Sequence, residues 1–332
     1  MKPTVVLVGI GRFGRNHIRV LKGLEKEGLC TVYGVVDTRT DVLENIRELY
    51  DVRTSKNLDD FLLDDVDAVS IVTPTNTHYT ICKKCLAAGK HVFVEKPLTQ
   101  SYSEAKALLE MAKQHRKTLM VGHIFRYNSA IWKIKELIEN GNIGEVYYMF
   151  GHFMGLKDPR LDTGALFNFT VHHIDIYNYL LDHLPEEVTC CVGYYLGRRK
   201  FEDVAVLILK YPTGTLGVIE GSWLPPQKVR DLTIVGSKGS IVSNLLEQTV
   251  ELHKVFIVSR KGELKAVDEG LETINLEFEE PLRLELLDFI ECIKTGKKPL
   301  ANDRVAVDTI KVAEKALESA RLKRSVRINE DA

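Results

Sequence analysis

A glycine-rich turn between a strand and a helix constrains the fold of this chain more than any other feature. A β-branched run at residues 4–8 leads into GIGRFG at residues 9–14, and a helical pattern follows to about Lys26. In this setting the three glycines permit a tight turn, the approach of a pyrophosphate to the backbone, and close packing of helix on strand. The pattern therefore predicts a dinucleotide site at this turn. Its predicted cofactor contacts are Gly9, Gly11, Arg12, Phe13 and Gly14.

The next strand pattern ends in an acidic residue that indicates which dinucleotide binds. Asp37 lies 23 residues after Gly14 (37 minus 14). A carboxylate at this position accepts hydrogen bonds from the adenosine ribose and repels a 2′-phosphate, so we expect NAD rather than NADP. Arg39 leaves NADP as the less favoured alternative, because an arginine nearby can accommodate that phosphate.

The alternation of strand and helix patterns continues to residue 122. Two buried strand patterns end in proline-containing turns, TPTNTH at residues 73–78 and EKP at residues 95–97. Proline cannot donate to a sheet ladder, so it suits the carboxyl end of a strand, and ligands of open α/β sheets bind outside those ends. Six strands in this rhythm predict a doubly wound parallel sheet, with residues 1–122 as a Rossmann NAD-binding domain. The further cofactor candidates are Thr73, Pro74, Asn76, His78, Glu95 and Lys96.

From residue 145 the pattern changes to strands that do not alternate with helices. Such runs imply an antiparallel or mixed sheet, so we expect residues 123–332 to form an α+β domain with a large open sheet. This domain is predicted to bind substrate and to mediate self-association. Two helix patterns, at residues 281–294 and 302–323, close the chain. The predicted strands span residues 145–153, 187–196, 202–211, 214–222, 228–236 and 239–244.

One helix pattern, at residues 164–181, interrupts the strands of the second half. Asn168, His172 and Asp175 recur there at positions i, i+4 and i+7, so they project from one side of the helix. An amide, a histidine and a carboxylate in one stripe are typical of the edge of an active site. The alternative is a buried hydrogen-bonded network without chemistry.

The composition excludes several classes of function. A net charge of −1 gives no reason to expect a nucleic acid or an anionic membrane as partner. No apolar run approaches the roughly 20 residues of a membrane span, so a cytoplasmic location is expected. Of six cysteines only Cys82 and Cys85 have a motif-like spacing, and they lie inside a helix pattern without a second pair. We therefore expect buried thiols there, with neither a disulfide nor a metal.

Taken together, these motifs resemble the glucose–fructose oxidoreductase and inositol dehydrogenase family (Gfo/Idh/MocA) over essentially the whole chain. The resemblance rests on GIGRFG, Asp37, TPTNTH, EKP and the helix that begins at Gly164. It implies that Lys96 is the active-site lysine and His172 the active-site histidine. Asn168 stands where many members carry an aspartate. An amide can orient a sugar hydroxyl but cannot accept a proton, which argues against a proton relay through this position.

Three stretches narrow the resemblance to one branch of the family. GHIFRYN, GVIEGSWLPPQKVRDLTIVGSKGS and NLLEQTVELH resemble the members that oxidise nucleotide sugars, the UDP-N-acetylglucosamine 3-dehydrogenases. The resemblance implies an NAD-dependent oxidoreductase that takes hydride from a sugar hydroxyl carbon, with C3 of such a nucleotide sugar as the expected position. By analogy the candidate substrate contacts are Arg126, Tyr127, Asn168, His172, Asp175 and Trp223. Lys228 and Arg230 are further candidates to meet the sugar or its diphosphate, with ordinary exposed cations on a strand as the alternative.

This chemistry requires a base, and two residues qualify. Loss of hydride from a carbinol carbon gives a carbonyl only if the hydroxyl proton also leaves. Either neutral His172 accepts that proton while Lys96 stabilises the alkoxide, or a lysine with a lowered pKa is the base. Three other functions stay open: an inositol or free-sugar dehydrogenase, a non-redox enzyme that cycles bound NAD, and a non-catalytic NAD-binding regulator. By fold analogy we expect a homodimer or homotetramer.

Overall fold

The first part of the chain forms a parallel sheet whose central strands are buried on both faces. The computed structural model describes residues 2–197, 200–260 and 262–329. The strands of this sheet are β1 (Thr4–Val8), β2 (Thr31–Val36), β3 (Arg53–Ser55), β4 (Ala68–Ile71), β5 (His91–Glu95) and β6 (Leu119–Gly122). They lie in the order β3-β2-β1-β4-β5-β6, and every neighbouring pair is parallel. Their near-continuous apolar sequences suit strands that are covered on both sides.

Helices pack on this sheet through regular apolar stripes. In the first helix Ile18, Leu21 and Leu24 are buried at a spacing of three residues, which places them on one face. The helices of the chain are α1 (Gly14–Lys26), α2 (Thr40–Tyr50), α3 (His78–Ala87), α4 (Tyr102–His115), α5 (Ser129–Glu139), α6 (Val171–Leu181), α7 (Pro281–Thr295) and α8 (Asp303–Leu322). Helix α1 packs on β1, β2 and α7, and α3 packs on β4 and β5.

The second sheet is large and mixed. Its strands are β7 (Val146–Met154), β8 (Glu187–Gly193), β9 (Val204–Lys210), β10 (Leu216–Ser222), β11 (Val229–Gly236), β12 (Gly239–Asn244), β13 (Thr249–Arg260), β14 (Glu263–Ile274) and β15 (Val326–Arg327). They lie in the order β14-β13-β12-β11-β7-β10-β9-β8-β15. Within this second sheet, among the described residues, only the β7–β10 pair is parallel and the other strand pairs are antiparallel. Strands β9 and β11 alternate buried with less buried residues, as expected for a sheet with one covered face.

Helix α6 covers the inner face of this sheet. It packs on β7 and β10, and the Tyr177 hydroxyl donates to the Val218 carbonyl at 2.9 Å. The absence of a side chain at Gly217 makes room, since a Cβ there would lie 2.8 Å from the Tyr177 ring. The predicted fold class, a doubly wound parallel sheet followed by an α+β domain with a mixed sheet, is therefore confirmed.

Compactness divides the chain into two units. The residues up to Ile124 group with Glu280–Ile310, and Phe125–Glu279 group with the described residues from Lys311 onward. The division between residues 122 and 123 that the sequence indicates stays a prediction. None of the described helices is long and apolar enough to cross a membrane.

The sequence did not predict two features of the second half of the chain. The long hairpin of β13 and β14 was not predicted, because β14 is exposed at almost every residue and its apolar positions do not alternate. Helix α6 is preceded by a π-helical turn, Leu166–Thr170, where one continuous helix was expected. A π turn adds a residue to the helical repeat, and such turns are frequent at functional sites.

Candidate active site

The glycine-rich turn has the geometry of a phosphate site. Gly9 has φ of +95°, and a Cβ there would lie 2.6 Å from the Val72 carbonyl oxygen. A Cβ at Gly14 would lie 2.1 Å from the Gly9 carbonyl oxygen. A Cβ at Gly11, by contrast, would meet no described atom within 4 Å. The turn therefore closes tightly at its ends and stays open at its centre, where the N-terminus of α1 offers backbone amides and partial positive charge to a diphosphate.

Asp37 is held at the end of β2 by four donors, one of which is the Arg39 amide at 3.0 Å from Oδ1. Its Oδ2 accepts from the Ile10 amide at 2.7 Å and from Arg39 Nη2 at 3.1 Å, and its Oδ1 accepts from Arg39 Nε at 3.0 Å. Burial by itself would raise the pKa of Asp37, but the hydrogen bonds from Arg39 and Ile10 outweigh it and lower that pKa. The residues at this turn thus fit an adenosine dinucleotide, with the carboxylate beside the glycine-rich turn, as a ribose contact requires.

Glu95 fixes the backbone at the predicted catalytic lysine. Its Oε2 accepts from the Lys96 amide at 3.2 Å, and its Oε1 lies 3.1 Å from His17 Nε2. Gly122 on the neighbouring strand leaves the space for this carboxylate, since a Cβ there would lie 2.8 Å from Oε1. Lys96 itself is half-buried, and its peptide bond to Pro97 is cis. A histidine from α1 thereby supports the strand end that carries Lys96.

The TPTNTH turn is joined to the EKP turn by a histidine. His78 is buried, with Nδ1 2.9 Å from the Pro97 carbonyl oxygen and Nε2 3.0 Å from the Thr73 carbonyl oxygen. Its ring therefore joins the two turns that are predicted to contact the cofactor. Pro74 and Asn76 are exposed, and the Thr73 and Thr77 hydroxyls lie 2.7 Å apart. Thr77 begins α3 without a capping hydrogen bond from its side chain.

In the second unit, His172 lies on an aromatic bed. Its ring stacks on Phe153 with centroids 4.4 Å apart and planes at 20°, and Phe125 meets it edge-on at 5.2 Å. The Arg230 guanidinium carbon lies 3.5 Å from the centre of the same Phe153 ring. Two groups this close on one face would overlap, so imidazole and guanidinium occupy opposite faces of Phe153. Burial lowers the pKa of Arg230 to about 10, which leaves it charged at neutral pH.

The start of the segment that carries His172 is anchored by a buried carboxylate. Glu202 Oε1 accepts from the Leu166 amide at 2.8 Å, and the Glu202 carbonyl accepts from the Ala165 amide at 2.9 Å. A Cβ at Gly164 would lie 2.1 Å from Glu202 Oε1, so glycine is required at that position. Asn168 follows in the π turn and is buried. Negative charge at a helix N-terminus is favourable, so Glu202 both caps and orients this segment.

Two predicted substrate contacts pair with each other. Arg126 Nε lies 2.9 and 3.1 Å from the two oxygens of Asp175, and its Nη2 lies 2.9 Å from Oδ1. Arg126 also lies over the Tyr179 ring, 4.7 Å from its centre, and Tyr127 beside it is buried. Asn168, His172 and Asp175 were expected to lie in one stripe along the helix. In the structure Asp175 forms a buried ion pair with Arg126.

Trp223 adds an aromatic wall beside this bed. It is buried and packs on Phe169 with ring centres 4.4 Å apart. Lys157, which is exposed, lies 4.4 Å from the centre of the Phe169 ring and 5.0 Å from that of Trp223. The indole N–H of Trp223 is buried without a hydrogen-bond partner among the described residues.

Sequence reasoning missed four residues that hold these groups. His17, Phe153, Glu202 and Lys157 are distant in sequence from the residues that they support. His17 follows the glycine-rich turn and carried the one usable signal, a polar ring at a position that packs toward the sheet. The other three lie in strands or loops with no local pattern that marks them.

The cysteines take no part in this chemistry. All six thiols are free, and Cys82 and Cys85 are buried in α3. Burial raises the pKa of both thiols, that of Cys85 to about 12, so neither is a reactive thiolate at neutral pH. Within the described ranges no group of three histidine, cysteine or acidic side chains is placed to hold a metal ion.

Comparison with known proteins identifies the family. Residues 4–123 match the model of an oxidoreductase family with an NAD-binding Rossmann fold, and residues 135–328 match the C-terminal alpha/beta domain of the same family. The chain therefore belongs to the Gfo/Idh/MocA oxidoreductases. It is an NAD-binding oxidoreductase, as the resemblance implied.

Named relatives differ in substrate. The chain is 30% identical to scyllo-inositol 2-dehydrogenase (NAD(+)) of Bacillus subtilis, over 95% of this chain and 93% of the relative. It is 28% identical to myo-inositol 2-dehydrogenase of Thermotoga maritima, over 98% of both chains. It is 27% identical to UDP-N-acetylglucosamine 3-dehydrogenase of Acidithiobacillus ferrooxidans, over 90% of this chain and 91% of the relative. A solved structure of the last protein superposes with a TM-score of 0.82 at 22% identity, covering 97% and 99% of the two chains, which shows the shared fold.

Proposed function

We propose that this protein removes hydride from C3 of a nucleotide sugar such as UDP-N-acetylglucosamine and transfers it to NAD. The observation that carries the proposal is the placement of two cations on the aromatic bed of His172. Arg230 lies on Phe153, and Lys157 lies over Phe169 and Trp223. A neutral polyol needs no cation, whereas a nucleotide sugar carries a diphosphate that such side chains bind.

The residues of this chain divide the chemistry between proton and charge. Bound NAD supplies the hydride acceptor. His172, whose ring orientation is set by Phe153 and Phe125, accepts the hydroxyl proton of the sugar. Lys96 stabilises the negative charge that develops on the same oxygen. Asn168 orients a neighbouring sugar hydroxyl, because an amide donates and accepts hydrogen bonds but does not titrate. Lys96→Ala and His172→Ala should each lose at least ~100-fold in turnover.

The cofactor candidates enter this proposal in two groups. The backbone around Gly11 receives the diphosphate, and Asp37 receives the adenosine ribose. Glu95, supported by His17, keeps Lys96 in place, and His78 keeps the TPTNTH and EKP turns together. These assignments use groups that the fold already holds in position, so no rearrangement of the strand ends is needed.

A second candidate function is oxidation of an inositol. The identities of 28% and 30% to two inositol dehydrogenases favour it. The reacting group, a secondary alcohol, is the same, so Lys96 and His172 would have the same roles. The two candidates differ only in whether the substrate carries negative charge.

Absorbance of reduced nicotinamide separates these candidates. Purified protein with NAD receives UDP-N-acetylglucosamine in one cuvette and myo-inositol in another. We expect a rise only with the nucleotide sugar and its loss in His172→Ala. His183→Ala is the matched control, because His183 is exposed just beyond the end of α6, and its turnover should stay within about twofold of the parent.

Each other outcome has a meaning. A rise only with inositol would reject the nucleotide sugar and keep the dehydrogenase. If the absorbance rises with neither substrate, the purified protein is denatured and the released NADH is measured. NADH carried through purification would indicate a missing electron acceptor or internal cycling of the cofactor, whereas protein that carries no NADH and binds no NAD would reject the dehydrogenase.

We also propose a homodimer, or a homotetramer built from such dimers, that assembles through the outer face of the large sheet. Exposed apolar residues from four strands lie on that face, and Leu216 pairs directly with Tyr148 across β10 and β7. They are Tyr148, Ile208, Leu216 and Val242. An exposed patch of this kind marks an interaction surface. Light scattering should give a multiple of 37.6 kDa, and Ile208→Lys should shift the protein to monomer; a parent that is monomeric contradicts the proposal. Cytoplasmic location stays a prediction.

A further inference from the structure

Three side chains form a stack at the proposed base. The His172 ring and the Arg230 guanidinium lie on opposite faces of Phe153, at 4.4 Å and 3.5 Å from the centre of that ring. The guanidinium carbon is therefore no more than about 8 Å from the centre of the imidazole. Phe153 is buried and fills the space between the two groups, so no layer of water screens one from the other.

Arg230 is held in this stack by neutral groups. It is buried, and its Nη1 donates to the carbonyls of Met154 and Val229. Among the described residues no carboxylate lies within ion-pair distance of its guanidinium. Asp231, the next residue, points to the other face of the sheet, where its Oδ1 lies 2.9 Å from His152 Nδ1. The positive charge of Arg230 is therefore not offset by an acidic partner.

The acidic groups near α6 in the second unit are paired or lie on the far face of the sheet. Helix α6 packs on α5, β7, β10 and the π turn. The paired groups there are Asp175 with Arg126, Lys135 with Glu139 and Asp182, and Glu202 with the Leu166 amide. The groups on the far face are His152, Glu220 and Asp231. Tyr177 and Tyr179 are neutral, since burial raises the pKa of both. Lys157, over the Phe169 ring, is a further cation.

The neighbouring histidine shows the direction in which Arg230 acts. Burial lowers the pKa of His173 to about 4, the charge of Arg230 adds to that shift, and Asp231 opposes it. The centre of the His173 ring lies 6.1 Å from that of Phe153, and the ring of His172 lies closer to it. A nearby cation disfavours the protonated form of a histidine, and so does burial. Arg230 therefore favours the neutral imidazole of His172.

We propose that Arg230 is a positioning residue for the base: its charge, acting across the Phe153 ring, keeps the His172 imidazole neutral and ready to accept a proton. The catalytic consequence rests on the proposed function, in which His172 takes the hydroxyl proton of the sugar. The effect of Arg230 on His172 does not depend on that function. A diphosphate on the same guanidinium would offset part of its charge, so the effect is largest before the substrate binds.

Histidine NMR measures this effect without substrate or cofactor. The ring Cε1–H signals of the full-length protein are followed against pH, and His172→Gln identifies the signal of His172. Arg230→Met should raise the midpoint of the His172 titration by roughly 1 to 2 pH units, the shift expected from one charge at this distance. Arg230→Gln, a second neutral variant, should give the same direction.

Two variants separate charge from packing. Arg230→Lys keeps the charge and should leave the midpoint within about 0.5 pH unit of the parent. Lys228→Gln is the matched control, because Lys228 is an exposed cation just before β11. Solvent screens such a charge, so the midpoint should move by less than about 0.3 pH unit. The signals of the other histidines report whether each variant is folded.

The midpoints decide the proposal. A rise of at least ~0.5 pH unit in the folded neutral variants, absent from Arg230→Lys, supports it. A smaller rise, or an equal rise in Arg230→Lys, overturns it. Where UDP-N-acetylglucosamine is oxidised, the acid limb of the kcat profile should move to higher pH by a similar amount in Arg230→Met, and a limb that does not move would overturn the catalytic role. Oxidation of neither sugar would reject the proposed function, while the NMR midpoints would still decide the effect of Arg230 on His172.

Discussion

Separating Arg126 from Asp175 should destabilise the protein more than any exposed ion pair would. The two side chains are 8% and 2% exposed, and their atoms meet at 2.9 to 3.1 Å. Removing one partner of a buried pair leaves the other charge buried, which costs about 3–5 kcal/mol. At roughly 2–4 °C per kcal/mol this corresponds to a fall in melting temperature of about 6–20 °C.

The assay is thermal and urea unfolding of Asp175→Leu, Arg126→Met and the double variant. We expect the free energy of unfolding of each single variant to fall by most of the about 3–5 kcal/mol given above. The loss of free energy of unfolding in the double variant should be roughly 0.5–3 kcal/mol smaller than the two single losses added together, because neither charge is then left buried without its partner. Glu110→Ala is the control. Its pair with Lys113 is half-exposed on both sides, and its removal should cost less than about 1 kcal/mol.

One result would refute the reasoning. If the free energy of unfolding of Asp175→Leu is within about 1 kcal/mol of that of the parent, the pair does not stabilise the fold. Asp175 and Arg126 would then be available to a substrate, as the sequence had indicated. A drop in stability with an unchanged KM would assign them to the fold, and a rise in KM with unchanged stability would assign them to the sugar.

Three further changes have definite outcomes. Burial lowers the pKa of His173 to about 4, below its value of about 6.5 in the unfolded chain. The neutral imidazole therefore makes its full contribution to the free energy of unfolding above about pH 6.5, and this contribution is lost as the pH falls. Between pH 7 and pH 4 the free energy of unfolding in urea should fall by about 3 kcal/mol more in the parent than in His173→Gln. Gly14→Ala places a Cβ 2.1 Å from a backbone carbonyl and should destabilise the protein by about 3 kcal/mol or more, whereas Gly11→Ala, with open space around it, should keep its melting temperature and weaken NADH binding. Asn168→Ala should raise the KM of the sugar roughly 2- to 10-fold with little change in kcat, and a fall in kcat alone would contradict a purely binding role.

The parts of this protein that the sequence predicts are those that local pattern determines. The glycine-rich turn, the strand ends at Thr73 and Lys96 and the start of the second sheet follow from spacing and from residues that break a strand. The start of helix α5 is also encoded locally, because Asn128 caps it and accepts from the Ala130 amide at 3.0 Å. These features are encoded within a few residues of where they occur.

The parts that the sequence does not predict depend on contacts between distant residues. His17 and Glu95 are 78 residues apart, Arg126 and Asp175 are 49 apart, and Leu166 and Glu202 are 36 apart. No periodicity marks such pairs, because the sequence around one partner does not indicate where in the chain the other partner lies. The β13–β14 hairpin was missed for a different reason: β14 is exposed at almost every residue, and its side chains carry no alternating pattern.

The same distinction explains why the family is clear and the substrate is a proposal. The proposed oxidation of a secondary alcohol needs a base, a group that stabilises charge and a held dinucleotide, and the residues that we propose for these roles lie in the motifs that carry the family resemblance. Discrimination between an inositol and a nucleotide sugar needs only a few placed cations, and a buried polar group that loses its partner costs enough to reject the wrong ligand. We propose Lys157 and Arg230 as such cations; neither lies in the motifs that carry the family resemblance, although Arg230 falls in one of the stretches that narrow the branch. Relatives at 27–30% identity accordingly differ in the substrates that their names give.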